Sequence, residues 1–316
     1  MRNLLAVVAI SLIIQPCFGQ TTYAVQDTAY VHAVELALDN LKKGNCQPCL
    51  DVYKKAFSIS QKSALSTLRA AVCAYQCGQS QQARAYLEKA ISLDWWSCED
   101  MWKNRKGYPE FDPLRVSLLA VDFQKDIDKQ KIAAGRNPTL ERELETIYET
   151  DQRPRLKMDT VGKLEGFKSP RVALLLEEMR QADSVNLLKI EQIIQQYGYP
   201  GKQLVGDQLS VTAWLVIQHA PLPIQEKYLP LMQKAADKGD LSKGNIALLV
   251  DRIRLRNGLK QLYGSQIHTH SDGKPDGFHP IEDEINVNKR RAEVGLEPIE
   301  DYARRFGFEY KPPTSK

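Results

Sequence analysis

Residues 37–56, ALDNLKKGNCQPCLDVYKKA, are matched 34 positions later by residues 71–90, AVCAYQCGQSQQARAYLEKA. The match pairs Ala37 with Ala71, Gly44 with Gly78, Cys49 with Ala83, Tyr53 with Leu87 and Ala56 with Ala90. A period of this length is typical of paired antiparallel helices stacked in an array, because small residues let neighbouring helices approach closely. We therefore predict a helical array in the front third of the chain.

The array is predicted to contain two helix pairs. These helices span residues 30–43, 47–59, 64–77 and 79–93. Gly44 and Gly78 fall at the turn inside each pair, where a positive φ favours glycine. With these spacings the region resembles tetratricopeptide-type repeats. The resemblance implies a concave groove that binds a protein or peptide partner.

The array needs a closing segment, because its last helix pair must meet water on one face. Residues 98–132 are predicted to form this cap, which gives a repeat domain over residues 28–132. Trp95 stands where the tetratricopeptide family often has proline, so the turn before the cap departs from the family pattern. A linker over residues 133–138 then leads to a second domain over residues 139–307.

The N-terminus has the pattern of a secretory signal peptide at residues 1–19. Arg2 precedes an apolar run from Leu4 to Ile14, and Gly19 offers a small residue for cleavage. The run is too short to span a bilayer comfortably. A lipid or uncleaved anchor near Cys17 is the alternative. The chain is therefore predicted to be exported from a bacterial cell, to the periplasm or the exterior.

Bulk properties exclude two classes of partner for the mature chain. The formal net charge of +4 gives no broad field that would attract nucleic acid. No later stretch is long and apolar enough to cross a membrane, so no membrane span is predicted. No cofactor is predicted either.

Five of the six cysteines lie in the array region. Disulfides form in the oxidising compartments that exported chains reach. Sequential helices of the array are antiparallel, so the start of the second helix lies beside the end of the third. We therefore predict the disulfides Cys46–Cys77 and Cys49–Cys73, with Cys98 free at the opposite end of the stack.

The segment Cys46-Gln47-Pro48-Cys49 also has the spacing of a redox motif at a helix start, where a thiolate is stabilised. Redox motifs of this kind usually follow a strand in a βαβ unit. Here Cys49 occupies the small-residue position of a helical repeat, so a structural role is favoured.

The second domain is predicted to be helical with one short β-hairpin. Its predicted helices include 171–182, 184–197, 207–219, 223–238, 242–257, 283–294 and 298–306, with a loop at 162–170. The hairpin is predicted to pair a strand at residues 261–267 with a return at residues 278–281. A polar tail over residues 308–316 ends the chain. The predicted fold class is mainly α throughout.

The second domain also resembles a bacterial domain family of uncharacterised function. The matching pieces are Asp183-x-x-Asn186, Trp214-Leu215-x-x-Gln218-His219-Ala220, Asp251-Arg252, Gly258-x-x-Gln261-x-Tyr263-Gly264-Ser265-Gln266 and Arg290-Arg291-x-x-x-Gly295-Leu296. The family more often has threonine at the position of Ser265. The resemblance implies a shared fold and a shared pocket, but no known activity.

Polar residues in these pieces end apolar runs, where unpartnered polar groups are costly. The candidate ligand-pocket residues are Asn186, Trp214, Gln218, Arg252, Gln261, Tyr263, Gln266, Arg290 and Arg291. They either satisfy one another in a structural network or line a cavity. Arg252, Arg290 and Arg291 could then hold a carboxylate or a phosphate.

If the pocket is catalytic, His219 is the candidate general base and Asp251 the group that orients it. Ser265 is the nearby hydroxyl suited to nucleophilic attack, although its sequence context differs from the usual strained turn. His268, His270 and His279 suggest a metal site, with help from Asp272 and Asp276. A loop rich in Gly, Asp and Pro favours solvated histidines instead, so no metal is predicted.

The sequence leads to two hypotheses of different class. The first is an exported binding or scaffolding protein, whose array holds a protein or peptide and whose second domain holds a small ligand. The alternative is a hydrolase with His219 and Asp251 at its centre.

Overall fold

A computed structural model describes residues 28–269 and 275–313. The predicted signal peptide, His270 and Asp272 lie outside the described residues. The chain divides into two compact units between Gly135 and Arg136. Both units are helical, and one two-stranded antiparallel hairpin lies in the second unit. The predicted fold class is confirmed.

The first unit consists of helices joined by short turns. Its elements are α1 (Thr28–Lys42), α2 (Cys46–Ile59), α3 (Ala64–Gln76), α4 (Ser80–Lys103), a 3₁₀ turn (Pro109–Phe111), α5 (Asp112–Arg115) and α6 (Leu119–Ala133). The helices α1 and α2 form one hairpin, and α3 and α4 form the next. Gly44 and Gly78 both have φ of 75°, as the turn inside each hairpin requires.

Helix α4 is longer than the predicted helix at 79–93 because a second helix follows it directly. Asp94 breaks the helix with φ of −162° and ψ of 85°. Its carboxylate accepts a hydrogen bond from the Ser97 amide at 3.0 Å, which caps the helical segment that follows. The predicted cap at residues 98–132 therefore starts within a continuation of α4.

Two disulfides join α2 to the end of α3. The structure pairs Cys46 with Cys77 and Cys49 with Cys73, with Cα–Cα distances of 5.4 and 6.0 Å. These are the pairs that the antiparallel helix geometry predicts. Cys98 is free and buried, and burial raises the pKa of its thiol to about 12. A thiol in this state is unreactive at neutral pH.

Helix α3 has no exposed face along most of its length. Every residue from Ala64 to Tyr75 is at least partly buried. The segment after α4 contributes to this cover, since Phe111 and Leu114 are fully buried in the same core. Arg69 of α3 also donates a hydrogen bond to Glu110 at 2.8 Å. The side of α3 that faces this segment is therefore covered by the chain itself.

The second unit contains the remaining elements. They are α7 (Pro138–Glu165), α8 (Pro170–Tyr197), α9 (Lys202–Leu209), α10 (Thr212–His219), α11 (Leu222–Asp237), α12 (Lys243–Arg256), β1 (Ile267–Thr269), β2 (Pro275–Phe278), a 3₁₀ turn (Glu284–Asn286), α13 (Val287–Glu293) and α14 (Ile299–Arg305). The core is built around α10, whose residues from Thr212 to Gln218 are all buried. Among the described residues, none of the helices combines the length and apolarity that a bilayer span needs.

The long hairpin of α7 and α8 differs from the sequence prediction. Pro154 lies inside α7 and the helix continues to Glu165, whereas a loop is predicted from residue 162. The side chain of Pro154 is buried, so packing against the rest of the unit offsets the lost backbone hydrogen bond. Helix α8 is likewise continuous, although two helices are predicted over its length.

Two further boundaries differ from prediction. The predicted helix at 207–219 is divided into α9 and α10. The predicted strand at residues 261–267 is shifted, since β1 starts at Ile267 and pairs with β2. Gln261 makes one isolated parallel bridge with Ile281 instead. The polar side chains at 261–266 bind main-chain atoms, and this holds the segment as a compact loop rather than a strand.

Candidate functional site

The loop at residues 261–266 is organised by one buried carboxylate, Asp251 of α12. Its oxygens accept hydrogen bonds from the amides of Leu262 (2.6 Å), Tyr263 (3.1 and 3.2 Å) and Ser265 (3.0 Å). Burial raises the pKa of Asp251, while these hydrogen bonds act to lower it. Asp251 is fully buried, so its oxygens accept hydrogen bonds from the loop rather than from solvent.

Gln261 joins the two ends of the same loop. Its amide nitrogen donates to the carbonyls of Gln266 (3.0 Å) and His279 (2.7 Å), and its amide oxygen accepts from the Gln266 amide (2.8 Å). The Gln266 side chain donates to the Ser265 hydroxyl at 3.1 Å. These polar residues satisfy one another and the main chain.

Arg290 and Arg291 of α13 bind main-chain carbonyls of the loop. Arg290 donates to the Leu262 carbonyl at 2.8 Å, and Arg291 donates to the Tyr263 carbonyl at 2.7 Å. The guanidinium of Arg291 also lies 4.9 Å from the ring centroid of Tyr302. Both arginines therefore hold the loop in place. They do not contribute to the predicted anion pocket.

Trp214 and Gln218 of α10 belong to the core. The indole of Trp214 donates to the Asn245 carbonyl at 2.9 Å. The main-chain carbonyl of Gln218 accepts from the Gln225 side chain at 2.6 Å. Both contacts fix α10 against its neighbouring helices.

A buried ionic cluster connects α7 and α8, and the sequence analysis missed it. Arg155 is only 2% exposed and donates to Asp151 at 3.1 Å and to Asp183. Asn186, one turn after Asp183, accepts from the Thr150 hydroxyl at 3.0 Å. The spacing of four between Asp151 and Arg155 was an available signal for an ion pair on one helix face.

Neither His219 nor Arg252 has a side-chain hydrogen-bond partner within the described part of the chain. His219 ends α10 and Arg252 lies on α12, and both are partly buried. Arg256, one turn after Arg252, donates to the Ala220 carbonyl at 3.0 Å. This contact brings the end of α12 against the residue that follows His219.

The electrostatics of this site are dominated by positive charge. Burial lowers the pKa of His219 well below its ordinary value, and the charges of Arg155, Arg252 and Arg256 lower it further. The pKa of Arg252 is lowered to about 10, first by burial and then by the other arginines. His219 is therefore neutral at pH 7 beside a cluster of guanidinium groups.

The geometry does not assemble the catalytic residues considered from the sequence. Asp251 binds loop amides and the Ser265 side chain, so it is not the group that orients His219. A Ser265–His219–Asp251 arrangement is absent from the described residues, since His219 bonds neither of the other two. What the site offers is an unpartnered guanidinium beside a neutral imidazole.

The histidines of the hairpin form a separate feature. His268 contacts Asp276 with 2.5 Å between Nδ1 and Oδ1, and its ring centroid lies 5.4 Å from that of His279. No group of three or more His, Cys, Asp or Glu side chains within residues 28–269 and 275–313 is arranged to hold a metal.

Comparison with known proteins identifies the second unit. A family model described as "Family of unknown function (DUF6624)" matches residues 138–311. The match begins at the first residue of α7 and extends beyond α14. The predicted C-terminal domain of unknown function is confirmed. No curated protein and no solved structure matches the chain.

Proposed function

The chain belongs to this family of unknown function, and we propose that it is an exported binding or scaffolding protein rather than a hydrolase. The first unit would bind a protein or peptide partner, and the second would bind a small ligand. The role of Asp251 is the observation that carries this choice. The hydrolase considered from the sequence relies on Asp251 to orient the His219 imidazole, and Asp251 serves the loop at 261–266 instead.

The first unit supports partner binding through its architecture. Its two hairpins repeat the same buried small residues and the same glycine turns. This agrees with the proposed relation to tetratricopeptide-type repeats, which present surfaces to other proteins. The proposed export agrees with the two disulfides, since such bonds persist in oxidising compartments.

The partner surface is proposed at the corner between α5 and α6 rather than along α3. Val116 is 80% exposed, Leu118 is 89% exposed and Val121 is 55% exposed, all within six residues. Three exposed large aliphatic side chains within six residues favour contact with another molecule. The partner would present an apolar segment of a protein to this corner.

Cross-linking tests this assignment. The full chain would be cross-linked in envelope extract of the source organism, and the attached peptides would be identified by mass spectrometry. We expect one protein to be linked beside Leu118 and to be lost from the double variant Val116→Ser, Leu118→Ser.

The double variant Leu164→Ser, Leu174→Ser is the matched control, because Leu164 and Leu174 of the second unit are 80% and 71% exposed. It should retain the same cross-links. Cross-links that persist in the corner variant, or that are lost equally in the control, would contradict the proposed surface.

A further inference from the structure

We propose that Arg252 and His219 form a binding site for an oxyanion, the carboxylate or phosphate group of a small ligand. The inference rests on the proposed function, in which the second unit binds a ligand, and it names the chemical class of that ligand.

The two side chains lie at one place in the fold. Arg252 and Arg256 are four residues apart on α12 and therefore share a face of the helix. Arg256 donates to the carbonyl of Ala220, the residue after His219, at 3.0 Å. The face that carries Arg252 thus meets the end of α10 where His219 is located.

The positive charge around Arg252 and His219 is only partly balanced by acceptor groups. Arg155 is paired with Asp151 and Asp183, and Arg256 has the Ala220 carbonyl as an acceptor. Arg252 has neither an ion pair nor a hydrogen bond in the described part of the chain. A partly buried guanidinium without an acceptor is unfavourable, and beside two other guanidinium groups it is more so. An anion would remove both penalties.

The donors at the site match an oxyanion. A guanidinium presents a flat fork of N–H groups that fits two oxygens of a carboxylate or phosphate. A neutral imidazole adds one N–H donor on a second side of the ligand. Both side chains are partly exposed, as a site that takes its ligand from solvent requires.

Calorimetric titration of the full chain with orthophosphate, and separately with acetate, tests the site. We expect binding of at least one anion, weakened about tenfold or more in Arg252→Gln because the charged fork is lost. Arg252→Lys, which keeps the charge without the fork, should weaken binding less. Lys238→Gln is the matched control, since it removes a positive charge from an exposed position of the same unit and should leave binding unchanged.

A second readout comes from stability without anion. The thermal midpoint of Arg252→Gln should then be higher than that of the wild type, because an unfavourable charge has been removed. If Arg252 only stabilised the fold, its replacement would lower the thermal midpoint. If Arg252→Gln does not fold, the inference is overturned on that ground alone, and weaker binding by Arg252→Lys than by a folded Arg252→Gln would overturn it as well.

The outcomes separate this inference from the proposed function. Stronger binding of phosphate points to a phosphorylated ligand, and stronger binding of acetate points to a carboxylate. Absence of binding to both anions, or equal affinity in Arg252→Gln and Lys238→Gln, overturns the oxyanion site and leaves partner binding by the first unit standing. Hydrolysis of p-nitrophenyl phosphate or acetate that depends on His219 would instead contradict the proposed binding function.

Discussion

Asp251 shows how one buried side chain can define a whole loop. Its two oxygens accept hydrogen bonds from the amides of three residues in the loop at 261–266. A carboxylate is suited to this task because it only accepts hydrogen bonds. A buried residue inside α12 thus fixes a loop that begins ten positions later.

Asp251→Asn should lower the free energy of unfolding of the second unit by about 2–4 kcal/mol. The NH2 group of the asparagine side chain would face the N–H donors of the loop and could not accept their hydrogen bonds. Urea unfolding would measure the change. Asp207→Asn is the control: Asp207 is an exposed carboxylate that pairs with Lys202 at 2.9 Å, and its loss should cost less than about 1 kcal/mol. Equal losses in the two variants would show that Asp251 is not a structural acceptor.

His219 should make stability depend on pH. Its folded-state pKa lies well below the ordinary value, so the unfolded chain binds a proton that the folded chain does not. Stability is therefore complete above pH of about 6.5 and falls as the pH drops below that value. Between pH 7.5 and 5.5 the loss due to this residue should be on the order of 1 kcal/mol.

Unfolding of the wild type and of His219→Gln across this range would measure that loss as a difference. The groups facing His219 are Arg155, Arg252 and Arg256, with Asp151 and Asp183 behind Arg155. They are present in both proteins, so the subtraction removes their contribution. Parallel pH profiles would mean that His219 is not held neutral.

At the scale of elements, the loop and the hairpin pack closely against α14. Gly264 has φ of 64°, and a Cβ atom there would lie 2.3 Å from the Cδ1 atom of Ile299. Gly258 has a similar φ of 73°, but a Cβ atom there would meet nothing within 4 Å. Both glycines adopt a positive φ, but only Gly264 is closely packed against neighbouring side chains.

Gly264→Ala should therefore destabilise the unit more than Gly258→Ala. Backbone strain at positive φ costs about 1–2 kcal/mol in both variants, and overpacking adds about 1–3 kcal/mol at Gly264 alone. Chemical denaturation would compare them. Equal losses would indicate that α14 is not packed against this loop.

The elements also show what the sequence could and could not predict. The helices of the array followed from small residues spaced at a fixed period, because that period reports close helix packing directly. The disulfides followed from the antiparallel order of those helices. The predicted start of a loop at residue 162 was wrong, since α7 continues past the buried Pro154 to Glu165.

The candidate site was predictable in its residues but not in their roles. Asp251 was marked by the apolar run that precedes it, and Arg290 and Arg291 were marked by the family resemblance. The partners of each include main-chain atoms more than ten positions away, which no local spacing reports. Arg155 was missed because it reaches the site only through the packing of α7 against other helices of its unit.

At the scale of the whole molecule, the two units have separate cores and differ in their disulfide bonds. Both disulfides lie in the first unit, whereas the chain has no cysteine after Cys98. Reduction should therefore affect one unit only. Each disulfide closes a loop of moderate length and contributes about 3 kcal/mol.

Calorimetry of the full chain should show two unfolding transitions. Reductant should lower one midpoint by roughly 10 °C or more and leave the other unchanged. The variant Cys98→Ser should respond to reductant as the wild type does, because Cys98 is unpaired. A shift of both transitions would contradict independent units.

The most direct test of the central claim, that the second unit binds an oxyanion at Arg252 and His219, is anomalous diffraction from a crystal grown with selenate, an analogue of phosphate and sulfate. An anomalous peak within hydrogen-bond distance of the Arg252 guanidinium and the His219 ring is expected. Ordered selenate at other positions, with Arg252 facing only solvent, would contradict the claim.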